Sequence, residues 1–163
     1  MSFRDLRGWL QEVEKIGELE VAKGAHWDIE LGTITELVHR QRNRPAVIFD
    51  EIPGYPTGHR VLVNTLGTND RMALTWGLPM GLSTMELKEA IRQKYKSLAP
   101  IKPTLVSNGP VMENVMTGDQ VDLFKFPTPK WHEHDGGRYI GTGSVDITMD
   151  PDENWVNLGT YRV

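Results

Sequence analysis

Residues 136–163 read GGRYIGTGSVDITMDPDENWVNLGTYRV, and this stretch decides the fold. From Arg138 to Met149, small or apolar residues alternate with polar ones and β-branched types are frequent, a pattern that predicts a half-buried strand. The segment 150–154 predicts a turn, because Pro151 presets φ and the flanking Asp and Asn can bond the local backbone. Residues 155–163 then predict a returning strand, so the stretch is expected to form a β-hairpin.

Two polar residues of the second predicted strand point to chemistry. An Asn carbonyl oxygen, as in Asn157, suits a hard cation, and the Arg162 guanidinium suits a phosphate or a carboxylate. Ideal alternation places the two on opposite faces. Gly159 lies between them and predicts a bulge, or a close approach of a ligand to the backbone, that would re-aim one of them. The residues alone leave a specific site and an ordinary strand open as alternatives.

The motif Asn-Leu-Gly-Thr-Tyr-Arg, residues 157–162, follows Asp-Pro-Asp at 150–152 and Gly-Arg-Tyr-Ile-Gly-Thr-Gly at 137–143. Together these motifs resemble the signature of the UbiD family of prenylated-FMN-dependent decarboxylases. Residues 3–7 (FRDLR) and 74–77 (LTWG) are similar to the lead-in domain of that family. The resemblance therefore covers most of the chain. It implies an N-terminal α/β lead-in domain followed by the first strands of a split β-barrel that binds the flavin.

The resemblance also assigns roles to residues of the signature. It implies that Asn157 is a metal ligand that helps to hold Mn²⁺ against the cofactor phosphate. Thr160, Tyr161 and Arg162 match the segment that contacts prenylated FMN. Arg162 also matches a catalytic residue of the network around the reacting carboxylate. Trp155 matches a cofactor-site position whose carbonyl can face a monovalent cation, K⁺.

A further position, Thr142, matches the lining of the substrate pocket by the same resemblance. The family's His and Glu metal ligands and its proton donor lie downstream of the signature. Because the strand pattern runs to Val163 without a polar tail, we expect the chain to be the N-terminal portion of a longer protein. The resemblance implies that the full-length protein is a homo-oligomer that receives its cofactor from a flavin prenyltransferase and acts on a small carboxylic acid.

The function predicted in this way is a non-oxidative, reversible decarboxylation of aromatic, heteroaromatic or α,β-unsaturated carboxylic acids. We expect the 163-residue chain alone to be inactive. Two alternatives from other classes stay open. One is a binding or assembly module without turnover, and the other is a plain FMN-binding split-barrel flavoprotein that performs redox chemistry.

Composition excludes several function classes. The chain has 18 Lys and Arg residues against 22 Asp and Glu, a net charge of −4, and its basic residues cluster only at 40–44. Nucleic acid is therefore not an expected partner. The absence of cysteine rules out disulfides and thiolate metal sites. Since no apolar run approaches the roughly 18 residues of a membrane span, we expect no membrane partner and a cytoplasmic location.

The order of predicted elements indicates an α+β (mixed α/β) fold. Helices are predicted where apolar residues recur at helical spacing, at 3–16, 28–38, 69–76 and 83–96, the last with a capping box at Ser83 and Glu86. Strands are predicted at 18–21, 46–49, 60–64 and 121–124. The Pro- and Gly-rich segment 100–110 predicts a boundary between a domain of residues 1–100 and the start of a second domain at 101–163.

One further pair suggests a metal site. His132 and His134 would lie on one face if their segment were a strand, and they could then chelate a transition metal. A third ligand at useful spacing is missing from the segment. The alternative is a polar loop whose histidines border the substrate entrance.

Overall fold

The computed structural model describes residues 3–163, apart from the side chain of Thr142. The predicted α+β fold is confirmed. Its elements, in chain order, are α1 (Leu6–Lys15), β1 (Leu19–Lys23), α2 (Glu30–Arg40), β2 (Ala46–Asp50), β3 (Val61–Val63), α3 (Asn69–Trp76), α4 (Thr84–Ser97), β4 (Thr142–Met149) and β5 (Val156–Arg162). Three single-turn 3₁₀ helices, Pro110–Met112, Gly118–Gln120 and Leu123–Lys125, lie between α4 and β4.

The first sheet has the order β1-β2-β3, with β1 parallel and β3 antiparallel to the central β2. Helices cover both of its faces. Val47 and Phe49 of β2 pack with Leu31 of α2, whereas Ala46 packs with Val13 of α1. A strand covered on both faces reads as a continuous apolar run, which is why Ala-Val-Ile-Phe predicted β2 correctly.

A buried arginine ties this sheet to α3. The Arg71 side chain is fully buried, and its guanidinium donates to the Glu18 carboxylate and to the carbonyls of Thr65 (3.1 Å) and Asn64 (3.1 Å). A buried charge is tolerated when it is paired and its donors are satisfied. Arg71 therefore holds α3 against the start of β1 and the end of β3.

The strand predicted at 121–124 is wrong. The Asp122 carboxylate accepts the backbone N–H of Phe124 at 2.9 Å, and the chain turns into a 3₁₀ helix there. Side-chain bonds of this kind compete with strand formation. The capping box of α4 is confirmed, since Glu86 accepts from the Ser83 backbone at 2.9 Å and the Ser83 hydroxyl accepts in return.

The predicted hairpin is confirmed, and its turn is closed by Asp150. One Asp150 carboxylate oxygen accepts the N–H groups of Asp152 (2.9 Å) and Glu153 (2.8 Å). The Asp150 N–H donates to the Trp155 carbonyl at 2.8 Å. Asn154 supplies the left-handed residue, with a φ of 56°. Such local bonding is what favours Asp and Asn in turns.

The alternation predicted a strand that begins at Arg138, but the ladder begins at Thr142. Tyr139 N–H bonds instead to the Pro129 carbonyl at 2.9 Å, and Arg138 reaches away from the hairpin to Tyr55. These longer-range bonds separate residues 138 and 139 from the strand, whereas Ile140 and Gly141 still bond to the backbone of Val163.

The bulge predicted at Gly159 is also wrong. Gly159 pairs regularly with Asp146 within an uninterrupted β5, and the register shifts instead between Thr142 and Ser144 of β4. Gly143 is the extra residue, with a φ of 83° that favours glycine.

The two faces of the hairpin differ in character, because paired residues of neighbouring strands lie on the same face. One face is apolar and carries Arg162; its other described side chains are Val145, Ile147, Met149, Val156, Leu158 and Thr160. The opposite face is mainly polar and carries Asn157; its other residues are Ser144, Asp146, Thr148, Gly159 and Tyr161. We call these the apolar face and the polar face.

Across the part of the chain that the structure describes, none of the helices has the combination of length and apolar character needed to cross a bilayer.

Candidate active-site cleft

A cleft of about 970 Å³ lies where the N-terminal sheet meets the base of the hairpin. One wall comes from β3 and its flanks, residues 60–65, and from Thr35 and His39 of α2. The other comes from residues 126–132 and from the hairpin base, including Arg162. The volume is in the range of small-molecule and cofactor sites. The predicted catalytic residue therefore borders a cleft large enough for a small ligand or cofactor.

Arg162 is held at this wall by an ion pair with Asp135. Its Nη1 donates to Asp135 Oδ1 at 2.9 Å and its Nη2 to Oδ2 at 2.7 Å. The guanidinium carbon also lies 3.9 Å from the centroid of the Tyr139 ring. The fork is thus fixed at one edge and on one face, and its Nε makes no hydrogen bond to any described residue.

Asp135 is itself fixed by a short turn. Its Oδ2 accepts the backbone N–H of His132 at 3.0 Å, and its own N–H donates to the His132 carbonyl at 3.1 Å. The hydrogen bonds from Arg162 lower the pKa of the Asp135 carboxyl from 3.8 to about 2. The same contact raises the pKa of Arg162. Both groups are therefore charged throughout the physiological range.

The segment that contains this turn is docked on the start of α2. Lys130 N–H donates to the Trp27 carbonyl at 3.1 Å, and Ile29 N–H donates to the Lys130 carbonyl at 2.9 Å. Gly32 of α2 permits this approach, because a Cβ there would lie 1.8 Å from the Trp131 carbonyl oxygen. The contact brings one cleft wall close to the other through backbone bonds.

Arg138 adds a second link between the two walls. Its guanidinium lies 4.0 Å from the Trp27 ring centroid and 5.1 Å from that of Phe124. It donates to the Tyr55 hydroxyl and to the Thr128 carbonyl. Cation–π contacts of this type favour arginine over lysine.

The Thr128 hydroxyl is buried in the wall of the cleft and has no hydrogen-bond partner among the described residues. A buried hydroxyl is usually bonded to protein, water or ligand. The Thr128 hydroxyl has almost no accessible surface, so it is an unsatisfied group of the wall and not an open contact point of the cleft.

Asn157 lies apart from Arg162. It is half-buried on the polar face of β5, while Arg162 is on the apolar face, and the regular pairing of β5 preserves that separation. The bulge that was expected to bring them together is absent from β5. A ligand that touches both must reach across the strand edge that β4 does not cover.

The other predicted site residues are spread along the hairpin. Thr142 pairs through its backbone with Arg162, and its predicted pocket-lining side chain lies outside the described residues. Thr160 is exposed on the apolar face. The Tyr161 ring lies over Gly159 on the polar face. Trp155 precedes β5, and its carbonyl, predicted to face a cation, already accepts the Asp150 N–H.

The described residues do not build a complete metal centre. No group of three or more His, Asp or Glu side chains within 3–163 is arranged to hold a metal ion. His132 and His134 lie in a turn and not on a strand, so the common face predicted for them does not form. His132 Nε2 instead lies 3.9 Å from Glu36 Oε2.

Sequence reasoning missed the residues that support Arg162 and complete the cleft. Asp135 and Arg138 flank a Gly-Gly pair at the start of the 137–143 motif, and this closeness to the motif was the signal available in the sequence. Arg60, His39 and Thr128 line the cleft from segments distant in sequence. Nothing in their local sequence marks them, since only the folded chain brings them to the cleft.

Comparison with known proteins matches most of the chain to two family models. The first describes the 3-octaprenyl-4-hydroxybenzoate carboxy-lyase N-terminal domain and matches residues 10–93. The second describes the carboxy-lyase Rift-related domain and matches residues 104–163.

Curated relatives are decarboxylases. Pyrrole-2-carboxylic acid decarboxylase of Pseudomonas aeruginosa is 35% identical over 98% of this chain and 33% of its own length. Phenolic acid decarboxylase of Sedimentibacter hydroxybenzoicus is 32% identical over 99% of this chain and 34% of its own length. The chain thus spans about a third of the curated relatives it matches.

The solved structures that align with the chain are also of a decarboxylase. Vanillic acid decarboxylase of Sedimentibacter hydroxybenzoicus in its open form, solved with a truncated second protein, aligns with a TM-score of 0.84 and 30% identity. This alignment covers 99% of this chain and 36% of the other. The closed form of that enzyme aligns with the same TM-score over 35% of its chain.

Proposed function

The chain belongs to the UbiD family of carboxy-lyases, and from this premise we propose that it forms part of a non-oxidative, reversible decarboxylase. The substrate class we propose is a small aromatic, heteroaromatic or α,β-unsaturated carboxylic acid. Support comes from the relatives, which are named for pyrrole-2-carboxylic and phenolic acids. Because the chain spans about a third of their length, this activity is proposed for a longer protein that contains it.

The observation that carries the proposal is Arg162 in the wall of the cleft. Its Nη1/Nη2 edge is engaged by Asp135, which leaves the Nε side for a second planar acceptor. A guanidinium binds carboxylates through such paired donors, and the fixed fork sets the plane of the carboxylate. We propose that Arg162 binds and orients the substrate carboxylate in this way.

Prenylated FMN is the cofactor we propose, with Thr160, Tyr161, Arg162 and Trp155 as its contacts. The two arginines of the cleft, Arg60 and Arg162, fit a ligand that presents oxygen acceptors. When bound, the cofactor would supply the electron sink that loss of CO₂ requires. Thr142 is proposed to line the substrate pocket beside it.

A divalent cation, Mn²⁺, does not fit the described residues alone. We propose that Asn157 contributes one ligand and that the remaining ligands, a His and a Glu, come from residues beyond this chain. The K⁺ proposed at the Trp155 carbonyl likewise has only one candidate ligand here. No step of the reaction is assigned to either ion.

We also propose that residues 1–100 and 101–163 are separate domains, the second being the start of the flavin-binding barrel. In support, the first family model ends at residue 93 and the second begins at residue 104, on either side of this division. The full-length protein is further proposed to be a homo-oligomer that obtains its cofactor from a flavin prenyltransferase.

The test uses full-length protein reconstituted with prenylated FMN and Mn²⁺. Arg162→Lys keeps the charge but loses the fork, so turnover should fall by orders of magnitude while the flavin absorption of the purified protein remains. Arg92→Lys is the matched control, because Arg92 also makes a two-point contact, with Glu89 at 2.8 Å, but on the surface of α4. Near-wild-type kcat in Arg162→Lys would refute the role of Arg162.

The metal role needs its own measurement. Asn157→Ala should lower the Mn²⁺ content of the full-length protein, and excess Mn²⁺ should partly restore it because mass action replaces lost binding energy. Asn108→Ala, in the exposed connection, is the control. Unchanged metal content in Asn157→Ala would remove Asn157 from the metal site.

An assembly module without turnover is the second candidate. The exposed apolar face of the hairpin favours it, since Val145, Ile147 and Leu158 are 63%, 69% and 66% exposed. Reconstituted wild-type protein that binds partners but converts no acid would support this alternative. A spectrum of unmodified FMN together with redox activity would instead indicate an ordinary flavoprotein.

A further inference from the structure

The contact between Asp135 and Arg162 uses only one of the two edges of the guanidinium. A guanidinium can meet a carboxylate through its two Nη atoms or through Nε and one Nη. Asp135 uses the first edge, with two bonds of 2.9 and 2.7 Å. The second edge remains free for a carboxylate in the cleft, so Asp135 and a substrate need not compete for the same donors.

The pair is also better fixed than most surface pairs. The Asp135 side chain is only 9% exposed and the Arg162 side chain 37%. Exposed pairs contribute little because two mobile side chains must be ordered. Here the carboxylate is already held by the His132 N–H, and the Tyr139 ring supports one face of the guanidinium. Neighbouring groups therefore restrict both side chains, so the ion pair orders little that is not already ordered.

The turn that carries Asp135 is anchored to helix α2 of the N-terminal layer. Trp131 immediately precedes the turn, and its indole N–H donates to the Tyr139 carbonyl at 3.1 Å. Its backbone lies directly against Gly32 of α2. The chain of contacts therefore runs from α2 through Trp131 and Asp135 to Arg162.

We propose that Asp135 is the positioning residue of Arg162, and that the docking of residues 130–135 on α2 sets the orientation of the guanidinium in the cleft. The proposal rests on the proposed function of Arg162 in binding the substrate carboxylate. It adds that the N-terminal helix layer, which contributes no residue of the signature, determines how that arginine presents its free edge. In this proposal Asp135 acts through Arg162 and not directly on substrate or cofactor.

The first test is spectroscopic and needs no turnover. In the ¹⁵N-labelled 163-residue chain, the two-point contact should slow rotation about the Cζ–Nη bonds of Arg162 and give separate Hη signals on cooling. Arg162→Lys identifies these signals by their loss. In Asp135→Asn they should average, whereas Asp152→Asn, an exposed turn variant, should leave them unchanged. Signals that persist in Asp135→Asn would overturn the proposal.

The second test is kinetic and uses the reconstituted full-length protein. Asp135→Asn leaves the positive charge of Arg162 but frees its fork, so kcat should fall about 10- to 100-fold with a smaller change in KM. Asp135→Glu keeps the charge and should restore part of kcat. A purely structural role would give equal losses in both variants, tracking their stability, and that result would overturn the proposal.

Gly32→Ala tests the anchor without touching either charged residue. A methyl group there must displace the Trp131 backbone. As in Asp135→Asn, kcat should therefore fall with a smaller change in KM, and the Arg162 Hη signals should average. Thr33→Ala, an exposed change in the same helix, is the control. Unchanged Hη signals in a folded Gly32→Ala protein would refute the coupling to α2. If wild-type protein converts no acid, the proposed function fails, and the Hη signals alone still decide the positioning role.

Discussion

Arg138 donates to the hydroxyl of Tyr55, a residue 83 positions earlier in the chain. The bond joins the segment before β4 to the loop between β2 and β3, and the Trp27 ring lies against the same guanidinium. One side chain therefore links the two proposed domains through a hydrogen bond and a cation–π contact.

We expect Arg138→Gln to lower the free energy of unfolding by about 1–3 kcal/mol, since both the cation–π contact and the charged hydrogen bond are lost. Urea unfolding followed by tryptophan fluorescence measures the change. Tyr55→Phe removes only the hydroxyl and should cost about 1 kcal/mol. Equal stability of Arg138→Gln and wild type would show that this contact does not hold the domains together.

The Asp135–Arg162 pair should make stability depend on acid pH. Because the pKa of Asp135 falls from 3.8 to about 2 on folding, its contribution is fully present above about pH 4. It is lost as pH decreases toward 2, where the folded-state carboxylate takes up its proton. Urea unfolding of wild type and Asp135→Asn at pH 6 and pH 2.5 checks this. The difference between them should shrink at the lower pH, and a constant difference would contradict the assignment.

Gly159→Ala should perturb Tyr161 more than it perturbs the fold. A Cβ at Gly159 would lie 2.2 Å from the Tyr161 ring, which can swing away, and Gly159 is not in the left-handed region. We expect a stability change within about 1 kcal/mol, because alanine also reduces the entropy of the unfolded chain. Ring resonances of Tyr161 should shift in NMR spectra. Gly137→Ala, where the added methyl meets open space, is the control and should leave them in place.

The 163-residue chain should bind Mn²⁺ only weakly. Hard cations of this type take about six oxygen ligands, and Asn157 offers one neutral oxygen. Titration followed by electron paramagnetic resonance should show no saturable site at micromolar Mn²⁺. Saturable binding at that concentration would mean that residues within 3–163 assemble a centre that their present arrangement does not form.

Limited proteolysis should cut first near Lys102. Residues 101–108 are exposed and lie outside regular secondary structure, so a protease can bind them in extended form. The two products should separate near residue 102 in mass spectra. A first cut within 46–63 would contradict the proposed domain division, because that range contains the central strand β2.

The features that sequence predicted well depend on nearby residues. The hairpin follows from Asp150 and Pro151, and the α4 cap from Ser83 and Glu86, since each bonds within four positions along the chain. The all-apolar run at 46–49 likewise predicted β2 correctly. Where a short polar side chain competed with the backbone, as Asp122 does, the strand prediction at 121–124 was wrong.

The candidate site was predictable only in part. Arg162 could be selected by its resemblance to the family signature, and the structure places it at a cleft. Its partner Asp135 is 27 positions away, and the choice between Gly143 and Gly159 as the bulge depends on strand register. Neither the Asp135–Arg162 contact nor the position of the bulge is marked by a local sequence pattern, because both form only when separate segments of the chain pair.

The extra residue at Gly143 makes this position tolerant of two kinds of mutation, replacement and deletion. Its φ of 83° and the open space around it admit asparagine at modest strain. Loss of the whole codon is also accommodated: Thr142 and Ser144 would then be consecutive residues opposite Arg162 and Tyr161, so the ladder would become regular with every pairing kept. A survey of viable variants should therefore find deletions as well as replacements at this position.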